Sequence, residues 1–128
     1  MIAMNDLMID PTTSTPKVEF KSNGELNMEG RSLPEDTARF YDPIIKWAKG
    51  FHAKQIVFNI KLEYLNTSSS KQLLTILKTI SDNPSNTDVT INWYYEEGDL
   101  DSLETGEHFA SIVKAPFKFI EFAETESF

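Results

Sequence analysis

The chain predicts an α/β domain: a single mixed five-stranded sheet with helices mainly on one face. Three observations carry this. Ile56, Phe58, Ile60, Leu62 and Tyr64 alternate with Val57, Asn59, Lys61, Glu63 and Leu65, and Val89, Ile91, Trp93 and Tyr95 alternate with Thr90, Asn92 and Tyr94. A period of two marks strands with one buried face. Strands sandwiched between two helical layers would be apolar on both faces. Each of these strands also runs toward a stretch with helical spacing, as in a crossover to a parallel neighbour. Such crossovers are right-handed, so helices confined to one face require the parallel strands to step in one direction.

Taken in order, residues 1–15 are polar and end in PTTSTP, which predicts a mobile tail before a single domain over 16–123. Residues 17–20 and 25–28 are short strands around Ser22-Asn23-Gly24, a hairpin signal because Asn and Gly tolerate positive φ. Ser32 and Glu35 have capping-box spacing, and Pro34 suits a first helical turn. The helix they predict carries Ala38, Tyr41, Ile45 and Ala48 on one face, broadened by Phe40, Ile44, Trp47 and Phe51. Its aromatic density reads as core rather than as a ligand pocket. Pro43 is expected to kink or split it, and Gly50 to stop it.

The central strand leads into a helix with Leu73, Leu77 and Ile80 on one face and Leu74 and Ile76 beside them. Residues 82–86, DNPSN, form a turn before the strand that begins near Val89. Asp101-Ser102-Leu103-Glu104 predicts a third helix opening, with Leu103, Ala110 and Val113 on one face, Phe109 and Ile112 beside it, and Pro116 ending it. Residues 117–122 are the last strand, and acidic residues 124–128 fray. The layout is similar to the anti-anti-sigma-factor (STAS-like) architecture.

The 128 residues suffice for one buried core, and 40% of them are hydrophobic. There is no cysteine, hence no disulfide framework and no thiolate ligand or nucleophile, which fits a cytoplasmic location. No apolar run approaches the roughly 18 residues of a membrane span, and no basic region followed by an apolar stretch opens the chain. Net charge is -8, with arginine only at 31 and 39, which disfavours nucleic acid.

The informative stretch joins the central strand to its helix: Asn66-Thr67-Ser68-Ser69-Ser70-Lys71. The bland reading is capping, since first-turn N–H groups lack partners and Asn, Ser and Thr accept from them. The sharper reading is a phosphate site. A helix N-terminus favours an anion, and a phosphorylated hydroxyl there would sit on the dipole with Lys71 near. Spacing leaves both open.

The segment LEYLNTSSSKQLL resembles the signature of the SiaC family of bacterial regulatory phosphoproteins. GRSLPEDTARFYDPIIKW (30–47), INWYYEEGD (91–99) and LETGEHFASIV (103–113) agree with it, and the resemblance covers roughly residues 16–122. Two features depart: Leu65 stands where the family has Phe before NTSS, and Gly98 and Leu100 interrupt an acidic run that is usually denser. The resemblance implies a switch protein without catalytic residues or cofactor, phosphorylated on Thr67 by a protein kinase and dephosphorylated by a PP2C-type phosphatase. It implies that the unphosphorylated form binds and activates a diguanylate cyclase, in cyclic di-GMP signalling that controls biofilm and aggregation. Tyr64, Leu65, Asn66, Ser68, Ser69, Ser70 and Lys71 would then form the partner-binding surface around the phosphosite.

The competing reading is a non-phosphorylated binding or scaffold module of the same fold, in which the serine run only caps. An enzyme is disfavoured. His52 and His108 have no acid or nucleophile placed beside them by sequence, and the serines lack a Gly-x-Ser-x-Gly elbow. Counting an EF-hand from Asp99 puts Leu103 at position 5 and Glu104 at position 6, so the acidic loop 96–101 fails as a calcium loop. No metal is expected, and the loop reads as solvated acids or a partner-facing negative patch.

Overall fold

Among the described residues one sheet holds six strands in chain order. The computed structural model describes residues 4–123, and the strands are β1 (Leu7–Ile9), β2 (Lys17–Phe20), β3 (Glu25–Ser32), β4 (Ile56–Leu65), β5 (Val89–Glu96) and β6 (Phe117–Phe122). β1, β2 and β3 pair antiparallel, and β3, β4, β5 and β6 are parallel. The crossovers are α1 (Thr37–Lys49), α2 (Thr67–Asp82) and α3 (Leu100–Ile112). The hairpin turn holds Gly24 at φ 106, which asparagine-glycine predicts.

The register shows why one face is covered. Leu26 pairs with Phe58 and Phe58 with Ile91, while Met28 pairs with Ile60 and Ile60 with Trp93, and all are buried. Against them lie Tyr41, Ile44 and Ala48 of α1, Leu73, Ile76 and Leu77 of α2, and Phe109 of α3. Removing each large side chain from water contributes roughly 1.5–3 kcal/mol. The other face carries an amide ladder. Asn59 Nδ2 donates to Asn27 Oδ1 (2.9 Å) and Asn92 Nδ2 to Asn59 Oδ1 (2.8 Å).

Four expectations need correction. The sheet has six strands, not five, because the segment read as a tail contributes β1. Trp47 Nε1 donates to the Asn5 carbonyl (2.8 Å), and Asp6 accepts from the Ser22 N–H (2.8 Å), fastening that segment. Residues 1–3 and 124–128, the latter read as frayed, lie outside the described residues. Second, Ser32 is not a cap. Leu33, preceding Pro34, is biased away from helix, β3 continues to Ser32, and α1 starts at Thr37 with Asp36 accepting from the Arg39 N–H (3.1 Å). Ala38 is consequently exposed rather than part of the inner face. Third, Pro43 does not split α1, which continues as one helix from Thr37 to Lys49. Pro43 and Arg39, whose carbonyl loses its partner, are both exposed, so water can satisfy that carbonyl. Fourth, α3 begins at Leu100 because Asp99 caps it, accepting from Ser102 N–H at 3.0 Å.

Two contacts set where the helices sit. Gly106 of α3 lies against Trp93, whose Nε1 donates to the Ser102 carbonyl (3.0 Å) and whose ring meets Phe109 edge-on at 5.6 Å. A Cβ on Gly106 would lie 2.7 Å from Trp93 Cδ1. Under α1 and α2, Ser32, Tyr41 and Ser69 are buried together. Ser32 Oγ donates to Ser69 Oγ (2.9 Å), so its other bond, to Tyr41 Oη (2.5 Å), must be donated by the tyrosine. Burial pushes the Tyr41 phenol above its ordinary 10.0.

Two outcomes follow. Gly106→Ala should lower stability by about 1–3 kcal/mol through overpacking on Trp93, read as a lower urea midpoint; an unchanged midpoint would mean that the ring moves freely. Tyr41→Phe should cost about 1–2 kcal/mol at pH 7. Because the folded phenol keeps its proton where the unfolded one ionises, Tyr41's contribution is complete below pH 10.0 and is lost as pH rises through its higher folded value. Wild type should therefore lose stability more steeply above pH 10 than Tyr41→Phe, and parallel urea-derived curves would remove Tyr41 from the account.

Candidate functional site

The hydroxyl row lies at the carboxyl end of β4, on the first turn of α2, and the structure assigns each member a different environment. Asn66 is the cap: its Oδ1 accepts from the Ser69 N–H at 2.9 Å, and its φ and ψ of -74 and 168 are extended. One residue thus meets the capping requirement. Ser69 is buried, with its hydroxyl accepting from Ser32. Ser68 is exposed but engaged, sharing a hydrogen bond with Thr37 Oγ1 (2.8 Å) and donating to Asn66 Oδ1 (3.3 Å). Ser70 is half-buried, and its N–H donates to the Asn66 carbonyl (2.9 Å). Thr67 is exposed, and its hydroxyl makes no hydrogen bond among the described residues.

Thr67 stands on the ridge between two depressions. On one side is a groove of about 450 Å³, walled by the ends of β4 and β5 and the start of α3. Its polar lining includes Glu63, Asp99 and Asp101, with Trp93 beneath and Tyr64 at its edge. Tyr64 is 50% exposed, an unusual state for an aromatic side chain. On the other side a groove of about 280 Å³ separates α2 from α3, lined by Ser70 and Lys71 of α2 and His108 and Phe109 of α3. Thr105 borders both grooves opposite Thr67. Leu65 also lines both and is half-buried, while Lys71 is exposed.

The expected site residues 64–71 are therefore contiguous in space, except that Ser69 points into the core. Sequence reasoning missed the residues that hold them: Thr37, Ser32, Tyr41 and the α3 wall of Thr105 and His108. Ser32 had a legible signal, since Leu26 and Met28 are inward at a period of two that continues to position 32. The α3 residues had none, because their nearness to Thr67 arises only from the packing of two crossovers. Of the two histidines, His52 is exposed outside any helix or strand, and His108 alone lies near the row. Asp99 is a helix cap, which accounts for one acid of the loop without a metal. Among the described residues no group of three or more His, Asp or Glu is arranged to hold a metal ion, and no helix is long and apolar enough to cross a membrane.

Comparison with known proteins bears on the family and the fold. The model of the SiaC family regulatory phosphoprotein matches residues 9–122. An uncharacterized protein of Pseudomonas aeruginosa (strain UCBPP-PA14) is 31% identical over 119 residues, covering 89% of this chain and 94% of that protein. The crystal structure of apo-SiaC from Pseudomonas aeruginosa superposes with a TM-score of 0.82 at 29% identity, covering 91% of this chain and 99% of that one. A chain in the crystal structure of diguanylate cyclase SiaD in complex with its activator SiaC, from the same organism, gives a TM-score of 0.81 at 29% identity, covering 91% of this chain and 100% of that one. With the match running through every strand and helix from β2 to β6, the chain belongs to the SiaC family of regulatory phosphoproteins and is a regulator rather than an enzyme.

Proposed function

We propose that this protein is a phosphorylation-controlled switch that binds and activates a diguanylate cyclase while Thr67 is unmodified. In this reading a protein kinase adds the phosphoryl group to Thr67 and a PP2C-type phosphatase removes it. The observation that carries the assignment is the state of the hydroxyl row. Thr67 alone combines exposure with a hydroxyl that makes no hydrogen bond among the described residues, whereas Ser69 is buried and Ser68 is bonded to Thr37 and Asn66. A kinase needs the oxygen accessible as a nucleophile, so Thr67 is the residue of the row that meets the requirement with least rearrangement. The cyclase as partner is supported by the related SiaC seen in complex with SiaD.

The switch works through contact electrostatics. Unmodified, Thr67 is a neutral point on a surface that includes exposed Tyr64, an aromatic suited to an interface. Phosphorylation adds about -1.5 to -2 charges there. This protein tolerates the dianion because it lies at the N-terminus of α2, where the helix dipole and free N–H groups favour it. A partner packed over the same point has to bury that charge, which is costly unless it supplies a counter-charge. Dissociation then needs no rearrangement of the fold.

Thr67→Ala should change folding stability by no more than about 0.5 kcal/mol, keep cyclase binding and activation, and block phosphoryl incorporation when the protein is incubated with ATP and host lysate. Thr67→Asp should weaken cyclase binding at least about tenfold, or about 1.4 kcal/mol, measured by calorimetry with the purified cyclase. Intact-mass mapping that placed the phosphoryl group on Ser68 or Ser70 would move the site. Equal affinity of Thr67→Asp and wild type would remove the electrostatic mechanism.

A further inference from the structure

The two grooves beside Thr67 differ in charge. The larger one presents Glu63 from β4 and Asp99 and Asp101 from the start of α3. The smaller one presents the Lys71 ammonium and Ser70 hydroxyl from α2 and the His108 imidazole from α3. Those three are hydrogen-bond donors or can become so on protonation, and no acid lines that groove. We propose that a phosphoryl group on Thr67 turns away from the acidic groove and lodges between α2 and α3, held by Ser70, Lys71 and His108. This rests on Thr67 being the modified residue.

Helix geometry supports the reach. Ser70 and Lys71 are three and four residues beyond Thr67, so they share its face. Helical side chains lean toward the N-terminus, which aims Lys71 back at Thr67. His108 stands in the same relation to Thr105, three residues beyond it and on the opposite bank. α2 and α3 both follow parallel strands and begin at the same edge of the sheet, so His108 also leans toward the Thr67 end. The Ser70 hydroxyl has no hydrogen-bond partner among the described residues and is free to donate. Thr105, by contrast, is engaged, donating to the Asp101 carbonyl at 2.9 Å. Glu104, four residues before His108 and so on its face of α3, and Glu107 beside it are exposed and lie outside the groove lining.

The phosphoryl group would then bridge two helices that otherwise leave a groove between them, and Lys71 and His108 act as positioning residues for the modified state. The consequence for a partner is specific. The charge would stay beside the ridge, at the mouth of the groove that Thr67 itself lines, under any partner that packs over the first turn of α2, while the acidic groove and Tyr64 keep their unmodified form.

The test uses the full chain with phosphothreonine genetically encoded at position 67, which needs no kinase. The probe is the 31P chemical shift titrated across the second phosphate ionisation, ordinarily near pH 6. In the otherwise native protein the midpoint should lie at least about 0.5 pH units below that of Lys71→Gln/His108→Gln, because opposite charges favour the dianion. Glu63→Gln/Asp101→Asn should move it by less than that. All four substitutions are at exposed or groove-lining positions, and circular dichroism checks that each variant folds. A double variant that titrates with the parent would overturn the proposal, as would a larger shift from the acidic pair, which would put the phosphoryl group in the other groove. Mass mapping of protein exposed to ATP and lysate tests the identity of the phosphosite separately, so failure of one reading is not mistaken for failure of the other.

Discussion

The placement of Thr67 depends on a chain of three buried hydroxyls. Tyr41 donates to Ser32 and Ser32 to Ser69, linking α1, the end of β3 and the third residue of α2. None of the three is reachable by water, so each bond lost leaves a polar atom unpaired at a cost of about 1–3 kcal/mol. The chain therefore specifies how the first turn of α2 is rotated. At 3.6 residues per turn, two residues rotate the helix by roughly 200°. With Ser69 held inward, Thr67 has to face outward.

The one-sided sheet explains why so much converges at this edge. β3, β4 and β5 are parallel, and each is followed by a helix on the same face. All three helices consequently begin along one edge, capped by Asp36, Asn66 and Asp99. That is how Thr37, the first residue of α1, comes within 2.8 Å of Ser68 on α2. Two of the three caps are acids, which offset the positive helix ends they serve. The helix that carries Thr67 is capped instead by a neutral amide, and its first turn contains no acid. Its N-terminal charge is thus left uncompensated beside the one hydroxyl that the row exposes without a hydrogen bond.

The repeating parts of this architecture were legible in the sequence. Alternation along 56–62 and 89–95 identified the half-buried strands, failing at Tyr64 because the β3–β4 register skips Glu63, and Asn23-Gly24 identified the hairpin, because those signals are local and each is expressed by many residues or by a turn with few alternatives. The three-residue strand β1 offers only Leu7 and Ile9 around Met8, too short a pattern to distinguish from a polar tail. Helix starts were misplaced for a different reason. Ser32-x-x-Glu35 and Asp101-x-x-Glu104 carry the spacing of a capping box, whereas the caps in use, Asp36 and Asp99, have Arg39 and Ser102 at that spacing, and tertiary pairing of β3 with β4 decided the first of them. The hydroxyl row shows the same limit. Which of five residues caps, which is buried and which is free depends on Ser32 and Thr37, which lie 37 and 31 residues away from their partners in the chain.

Charge arithmetic constrains how such a site can discriminate between its states. The chain already carries a net charge of -8, so a phosphoryl group changes the total to about -10 at most. Beyond the Debye length of about 8 Å in physiological salt, a partner meets nearly the same field in both states. Long-range steering is therefore a weak discriminator. At Thr67 itself the change is from a neutral hydroxyl to a dianion, next to a groove that already presents Glu63, Asp99 and Asp101. A partner can read that difference only by packing against the ridge closely enough to exclude water, where an unpaired charge is expensive. A partner that docked on the Asn27–Asn59–Asn92 face would be insulated from it by the thickness of the sheet. The switch mechanism therefore requires an interface that includes the first turn of α2, and the internal hydroxyl chain is what keeps that turn in register with the rest of the surface.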